Sequence, residues 1–297
     1  MKVHAQVFSL KNACIRLWLA ASVFFAGYAG AYEAELHQQL TFLAAKQFNR
    51  CVADTDIPSL SALQVRYIAK SNVSLSNSSV FARMFRWNYY SPSETENRSI
   101  LWLMDTRFHD QFNALTEELS AEEESTEQYR LLGRVVGYVQ DVTSPAHTVP
   151  VYVSRWWRLS LSDRFDQYPV DLASVAESVA RSCEQLMAPV ESLAWVLQEA
   201  ALETLTAVQG QINGLPVSWE AFWTISENPG GFGEYGPAGN NFGRSTEFRC
   251  ANRERCVLLN KDPLYEDFAR QRHIAAVLGT MRAMMLVQSL KKPVPAL

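Results

Sequence analysis

No C-x-x-C pair occurs in this 297-residue chain, no stretch gathers Lys and Arg into a stripe, and no apolar run beyond residue 27 is long enough to cross a bilayer. The first absence argues against a cysteine zinc site. The second argues against an electrostatic nucleic-acid footprint, in a chain whose formal net charge is −4. The third leaves no candidate membrane span after the N-terminal segment. There is no G-x-S-x-G nucleophile motif, and no G-K-[ST] follows the glycine-rich stretch, so neither a hydrolase serine elbow nor a phosphate-cradling loop is expected. No internal repeat and no linker is visible, and 48% hydrophobic with 20% charged residues is ordinary globular composition. A single domain is the expected organisation.

What is present begins with a leader. Lys2, Lys11 and Arg16 precede the short apolar run "LWLAASVFFAG" (17–27), and "AGA" (29–31) places small residues before a cleavage point. Residues 1–31 therefore read as a secretory signal peptide, with an uncleaved anchor as the alternative. Cleavage after Ala31 makes Tyr32 the mature N-terminus, and 32–297 the domain, exported to the periplasm or the medium. Cys14 lies in the leader. Cys51, Cys183, Cys250 and Cys256 remain, an even count that suggests two disulfides in an exported chain. The short loop "ANRER" points to Cys250 with Cys256, which would leave Cys51 with Cys183, but three pairings are open.

Helical periodicity dominates. It covers 32–48, 97–119, 126–143, a long stretch over 170–209 that Pro189 should break or kink, and 263–290. No run alternates as a strand, so the expected fold is all-α with about six or seven helices. Two segments are irregular: "RWNYYSPSE" (86–94) and the glycine-rich "ENPGGFGEYGPAGNNFG" (227–243). The second cannot be helix, and its length suits a functional loop or a packed Ω-loop.

The chemistry-bearing stretch is "GYVQDVTSPAH" (137–147). Gly133, Gly137 and Asp141 share a helix face flanked by apolar residues, so Asp141 should point inward, where a carboxylate needs a cation or donors. Pro145 then turns the chain and presents His147 nearby. This pattern resembles the superfamily of zinc-dependent bacterial phospholipases C and fungal single-strand-specific nucleases, whose motif runs from a histidine to an aspartate one turn on, then to a proline and a second histidine. Tyr138, Asp141, Pro145 and His147 match it, while Gly137 stands in place of the leading histidine. The family's mature chain starts at a metal ligand, its N-terminal amine, with a histidine a few residues on; Tyr32 and His37 match. "WNYYSP" (87–92) matches a segment in which the family has histidine where this chain has Asn88. An upstream aspartate aligns with Ser76, or alternatively Asn77. The later H-x-x-x-[DE] becomes Ser162 and Asp166. The resemblance spans at least Tyr32 to Tyr168.

The resemblance implies an exported, all-helical phosphodiesterase with a cluster of three zinc ions, here depleted. One metal position would use Ser76, Asn88, Gly137 and Asp141, and should be absent. A second would use His147, Ser162 and Asp166. A third would use Tyr32, His37 and Asp141, and is complete. One zinc is therefore expected, at most two, with Asp141 and His147 as the candidate catalytic residues. The replacing residues are small and neutral, as a cavity without its cation requires. The implied function is a phospholipase C type hydrolase acting on a phospholipid or other phosphodiester. The rival reading is an inactive relative that binds lipid, ligand or protein; a single-strand nuclease is third, since no basic groove is evident. Trp156 and Trp157 in "SRWWRLS" are candidates for contact with a membrane surface, with core packing of one ring and stacking of the other as the alternative. His109 and His273 read as helix-surface residues.

Overall fold

The computed structural model describes residues 34–74, 90, 99–100, 104–105, 108–149, 151, 163–188, 190–227, 233–250 and 254–290. Residues 1–31, read above as a signal peptide, and Tyr32, Ser76, Asn77, Asn88, Trp156, Trp157, Ser162 and Pro189 lie outside these residues. The described chain is mostly helical. Helix α1 is Ala34–Cys51, α2 Ala62–Asn72, α3 Phe108–Ala121, α4 Ser125–Asp141, α5 the single turn Pro145–Thr148, α6 Leu172–Ala180, α7 Cys183–Leu186, α8 Leu193–Gln209 and α9 Pro263–Ser289. Short 3-10 turns, η1 at Phe165–Gln167 and η2 at Trp219–Ala221, punctuate the second half. Among the described residues no helix is long and apolar enough to cross a membrane.

One helical expectation needs correction. The stretch 97–119 is not one helix: Ser99–Ile100 (β1) pairs antiparallel with Met104–Asp105 (β2), and α3 starts only at Phe108. Ile100 and Leu103 suit helix spacing, but so short an apolar run is ambiguous between helix and strand. The all-α expectation holds in outline, with only short two-stranded ribbons beside the helices among the described residues. Besides β1–β2, Trp223–Thr224 (β3) pairs with Glu234–Tyr235 (β4), and Thr246–Arg249 (β5) with Arg255–Leu258 (β6). These two- to four-residue ribbons are too short to leave an alternation in the sequence. Helix α2 was also not anticipated. Its signal is local: Ser61 accepts from the Gln64 backbone N–H while the Gln64 side chain accepts from the Ser61 N–H, a reciprocal cap written in "SALQ".

The frame of the site is the packing of α1, α2, α4 and α9. Helix α2 packs along α4 in an extensive contact. The cause is the glycine stripe. A Cβ on Gly133 would stand 2.3 Å from the carbonyl oxygen of Ile68, and one on Gly137 2.9 Å from Asn72 Oδ1. Only glycine admits that approach. Helix α9 is buried on nearly every side, and its residues meet α1, α4 and α8. Arg272 and Arg282 of α9 pair with Glu203 and Glu199 of α8, and Arg282 also lies over the Trp195 ring.

The second half folds around an aromatic cluster. Phe165 of η1 meets Trp223, Phe242 and Phe268 edge-on, and Trp219 lies 4.4 Å from Phe268 between ring centres. The glycine-rich stretch is, where described, a packed loop: a Cβ on Gly236 would meet the carbonyl oxygens of Glu220 and Ala221 at 2.4 and 2.5 Å. Both disulfides form, Cys51–Cys183 and Cys250–Cys256. The first closes 132 residues and fastens the end of α1 to α7. By loop-closure entropy that long ring is worth about 5 kcal/mol, against about 2 for the short one.

Candidate functional site

Helix α4 delivers two polar residues to its buried end, Gln140 and Asp141. Asp141 points inward, as the stripe predicts. The chain then turns: the Ser144 N–H bonds the Asp141 carbonyl at 2.9 Å, and the His147 N–H bonds that of Ser144 at 3.0 Å. Pro145 opens α5 at its first position, where a missing N–H costs nothing. That turn places Asp141, Ser144 and His147 along one buried edge. Helix α1 faces it with His37 and Thr41, one turn apart, and η1 brings Asp166 from the other side.

The structure joins the predicted residues in two pairs. His37 Nε2 stands 3.3 Å from Asp141 Oδ1. His147 Nε2 stands 4.0 Å from Asp166 Oδ2, beyond hydrogen-bond range, and Ser144 Oγ donates to Asp166 Oδ1 at 2.5 Å. All four predicted residues are buried. Burial alone would push the His37 imidazole down, but the hydrogen bond and charge of Asp141, with Gln140 and the charge of Asp166, raise it above its ordinary value.

Behind His37 lies a polar network that composition did not announce. His37 Nδ1 is 2.7 Å from Gln140 Oε1, which also accepts from Asn72 Nδ2 at 2.8 Å. Gln140 Nε2 donates to Thr41 Oγ1 at 3.1 Å and to Thr280 Oγ1 at 3.0 Å. Asn72 Nδ2 donates to Thr41 Oγ1 at 2.7 Å. Four helices, α1, α2, α4 and α9, thus meet at one amide. Sequence reasoning missed Gln140, Asn72 and Thr280, because a polar residue on a helix reads as solvent-facing unless its neighbours in space are known. It also missed Asp163. That buried carboxylate accepts from the Trp223 indole at 3.0 Å, the Tyr235 hydroxyl at 2.7 Å and the Phe165 N–H at 2.8 Å. It therefore locks η1, and with it Asp166, onto the aromatic cluster.

Gly137, where the motif that the sequence resembles has a histidine, is covered by Asn72. A side chain there would have to displace α2. His273 corrects another expectation: it is core, not surface, because it lies on the face of α9 turned to Phe165, while Asp267 and Gln271 carry the exposed face of that turn. Its surroundings include the Phe165 ring, 6.1 Å away, and burial pushes its imidazole down to about 3. His109 is half-buried against the Tyr90 and Phe108 rings, again less exposed than its sequence suggested.

Zinc is the metal the motif implies, and the donors can be tested against it. Two ligands of a tetrahedral zinc, each at about 2.0–2.1 Å, stand about 3.4 Å apart. The His37–Asp141 separation fits that edge, and Gln140 occupies Nδ1, so Nε2 is the ring nitrogen turned to Asp141. Among the described residues no group of three His, Cys, Asp or Glu gathers as a cage. The third donor would be the amine of Tyr32, which lies outside the described residues, two positions before α1 begins. The His147–Asp166 pair lies farther apart and is less suited.

No protein-family model matches the chain, no curated protein matches it, and no solved structure matches it.

Proposed function

We propose that the protein is an exported phosphodiester hydrolase of the phospholipase C type, working with a reduced metal centre. In this reading His37 and Asp141, completed by the Tyr32 amine, hold one zinc ion. When bound, zinc supplies Lewis acidity and brings the pKa of a water to about 7. The chain's own residues do the rest: Asp141 and His37 Nε2 orient the cation, and His147 stands where a proton can be taken up or returned. Ser144 fixes the carboxylate of Asp166 beside it. The observation that carries the reading is the 3.3 Å approach of His37 Nε2 to Asp141 Oδ1, from two residues 104 positions apart. Phospholipid is preferred over nucleic acid because the sequence has no basic stripe, and Trp156 and Trp157 supply rings suited to a lipid interface.

A second reading, an inactive relative that binds a lipid, ligand or protein, draws support from one feature. Asn72 covers Gly137, so the space that a ligand side chain would need at that one position is taken by helix packing. Loss of neighbouring cations removes charge stabilisers from the transition state, which lowers turnover steeply.

Metal content and phosphodiester turnover separate the two. The hydrolase reading expects one zinc per chain, absent in Asp141→Ala, and turnover of phosphatidylcholine that stops on chelation. Faster turnover of single-stranded DNA would redirect it to a nuclease. Zinc-free protein with no turnover of either substrate would overturn it in favour of the binder.

A further inference from the structure

The network behind His37 leaves its protons little choice. The Thr41 hydroxyl donates its single proton to the His37 carbonyl at 2.8 Å, and the Thr280 hydroxyl donates its own to the Ala276 carbonyl at 2.7 Å. Both oxygens can then only accept from any further partner. The terminus of Gln140 that faces them, 3.1 and 3.0 Å away, must therefore be its NH2 group. Its other terminus is the carbonyl oxygen, which cannot donate. That oxygen lies 2.7 Å from His37 Nδ1 and also receives the Asn72 amide at 2.8 Å. Nδ1 must carry the hydrogen in this bond. The reverse arrangement would need both threonine protons withdrawn from their helix carbonyls and the Asn72 amide turned over at the same time.

We propose that Gln140 is a positioning residue, whose side-chain carbonyl keeps the proton on His37 Nδ1 and so commits Nε2 to a cation beside Asp141. A histidine that must bind metal through one nitrogen is commonly oriented by an acceptor on the other. Here the acceptor is an amide held from four sides rather than a carboxylate. A neutral acceptor orients the ring without adding a charge to a buried site, where an unpaired one is costly. Asn72 has a double part: its Oδ1 covers Gly137 while its amide nitrogen braces Gln140, so the packing that closes the space beside Gly137 also helps to order His37. The placement of the proton stands apart from the one-zinc reading; its effect on metal affinity rests on that reading.

The test is nitrogen NMR on the purified protein labelled in its histidine rings, metal-free and then titrated with zinc chloride. His37 Nδ1 is expected to read as protonated in both states, with zinc arriving at Nε2. Gln140→Leu removes the acceptor, so in the neutral ring the proton should move to Nε2, facing Asp141, and zinc affinity should fall about 10–100-fold. Gln140→Glu restores an acceptor and should restore the Nδ1 proton together with most of the affinity. An unprotonated Nδ1 in the parent protein overturns the proposal, and that spectrum needs no variant to fold. So does a Gln140→Leu protein whose His37 signals and zinc affinity match the parent. If the parent takes up no zinc, the one-zinc reading falls and the affinity claim with it, while the spectrum still decides where the proton lies.

Discussion

His37 and His273 are each 1% exposed, yet their surroundings drive them in opposite directions. His37 sits at the end of α4 among a carboxylate, two amides and two hydroxyls. His273 sits on α9 against η1 and its aromatic neighbours. Burial disfavours the charged ring in both places. At His37 the hydrogen bond and charge of Asp141 overcome that penalty and the ring is raised; at His273 burial dominates, and the ring drops to about 3. The two regions share one core and differ in what the core offers. Burial sets the cost of charge, and the fixed dipoles and charges within reach decide whether the cost is met.

The largest test of that contrast is Asp141→Ala. It leaves His37 buried without the carboxylate that holds its charge, and breaking one side of a buried pair costs about 3–5 kcal/mol. Urea unfolding in chelator should show this loss at pH 6. His273→Phe at the same pH should cost far less, since a neutral ring is replaced by a ring of similar shape. Equal losses from both would show that His37 owes nothing to Asp141.

Next comes the acid limb. His273 is neutral when folded down to about pH 3, whereas an unfolded histidine takes its proton near 6.5. Between those values the unfolded state binds more protons, so stability falls as pH drops from 6.5 towards 3, by a total of a few kcal/mol. His273→Phe should remove that part of the slope. A mutant whose acid unfolding curve parallels the parent's would place His273 in contact with water or with a charge.

Packing supplies a smaller effect. Gly137→Ala forces a Cβ to within 2.9 Å of Asn72 Oδ1 and 3.2 Å of its backbone oxygen, so α2 must shift or the amide must turn. Overpacking of this kind costs about 1–3 kcal/mol. Because Asn72 braces Gln140, the same substitution should also loosen zinc at His37, which a change in packing alone would not do. Gly133→Ala meets the Ile68 backbone at 2.3 Å, one turn before Asn72 on the same helix, and should destabilise more while reaching the Asn72 amide only through a shift of α2. A thermal melt paired with a zinc titration separates the two.

These contrasts also show what the sequence could carry. Asp141 was placed correctly because an inward stripe of Gly133, Gly137 and Asp141 is a property of one helix. The breaks near Pro189 and the start of α9 were legible for the same reason. His273 is misplaced by its sequence because a helix buried over most of its circumference, with only a narrow exposed edge at Asp267 and Gln271, carries little periodicity to tell core from surface. Gln140, Asn72 and Thr280 were invisible because their roles exist only where four helices meet, and nothing in "GYVQDV" says that Gln140 turns away from solvent. Asn72 ends a helix whose one local signal in the sequence is the Ser61–Gln64 cap. The glycine at 137 was read as a missing ligand; in the fold it is also the surface on which α2 rests.

The smallest effect is on the alkaline side and bears most directly on the pairing at the site. With metal removed by chelator, His37 has a folded pKa raised above 6.5. Below 6.5 the folded and unfolded rings are both protonated and the pair with Asp141 contributes in full. As pH rises past 6.5 the unfolded ring gives up its proton first, so the folded state holds more protons and stability declines. For one group the slope cannot exceed about 1.4 kcal/mol per pH unit, and it ends once pH passes the folded value. His273 contributes nothing over this range, since its ring is neutral in both states. The two histidines therefore bend the stability profile from opposite sides of 6.5. Unfolding free energies measured from pH 5 to 9 should show an alkaline decline in the parent that is absent in His37→Ala and retained in His273→Phe. A parent curve with no alkaline decline beyond that of His37→Ala would mean that the ring at 37 is not raised above its unfolded value, and that Asp141 does not offset the cost of burying its charge.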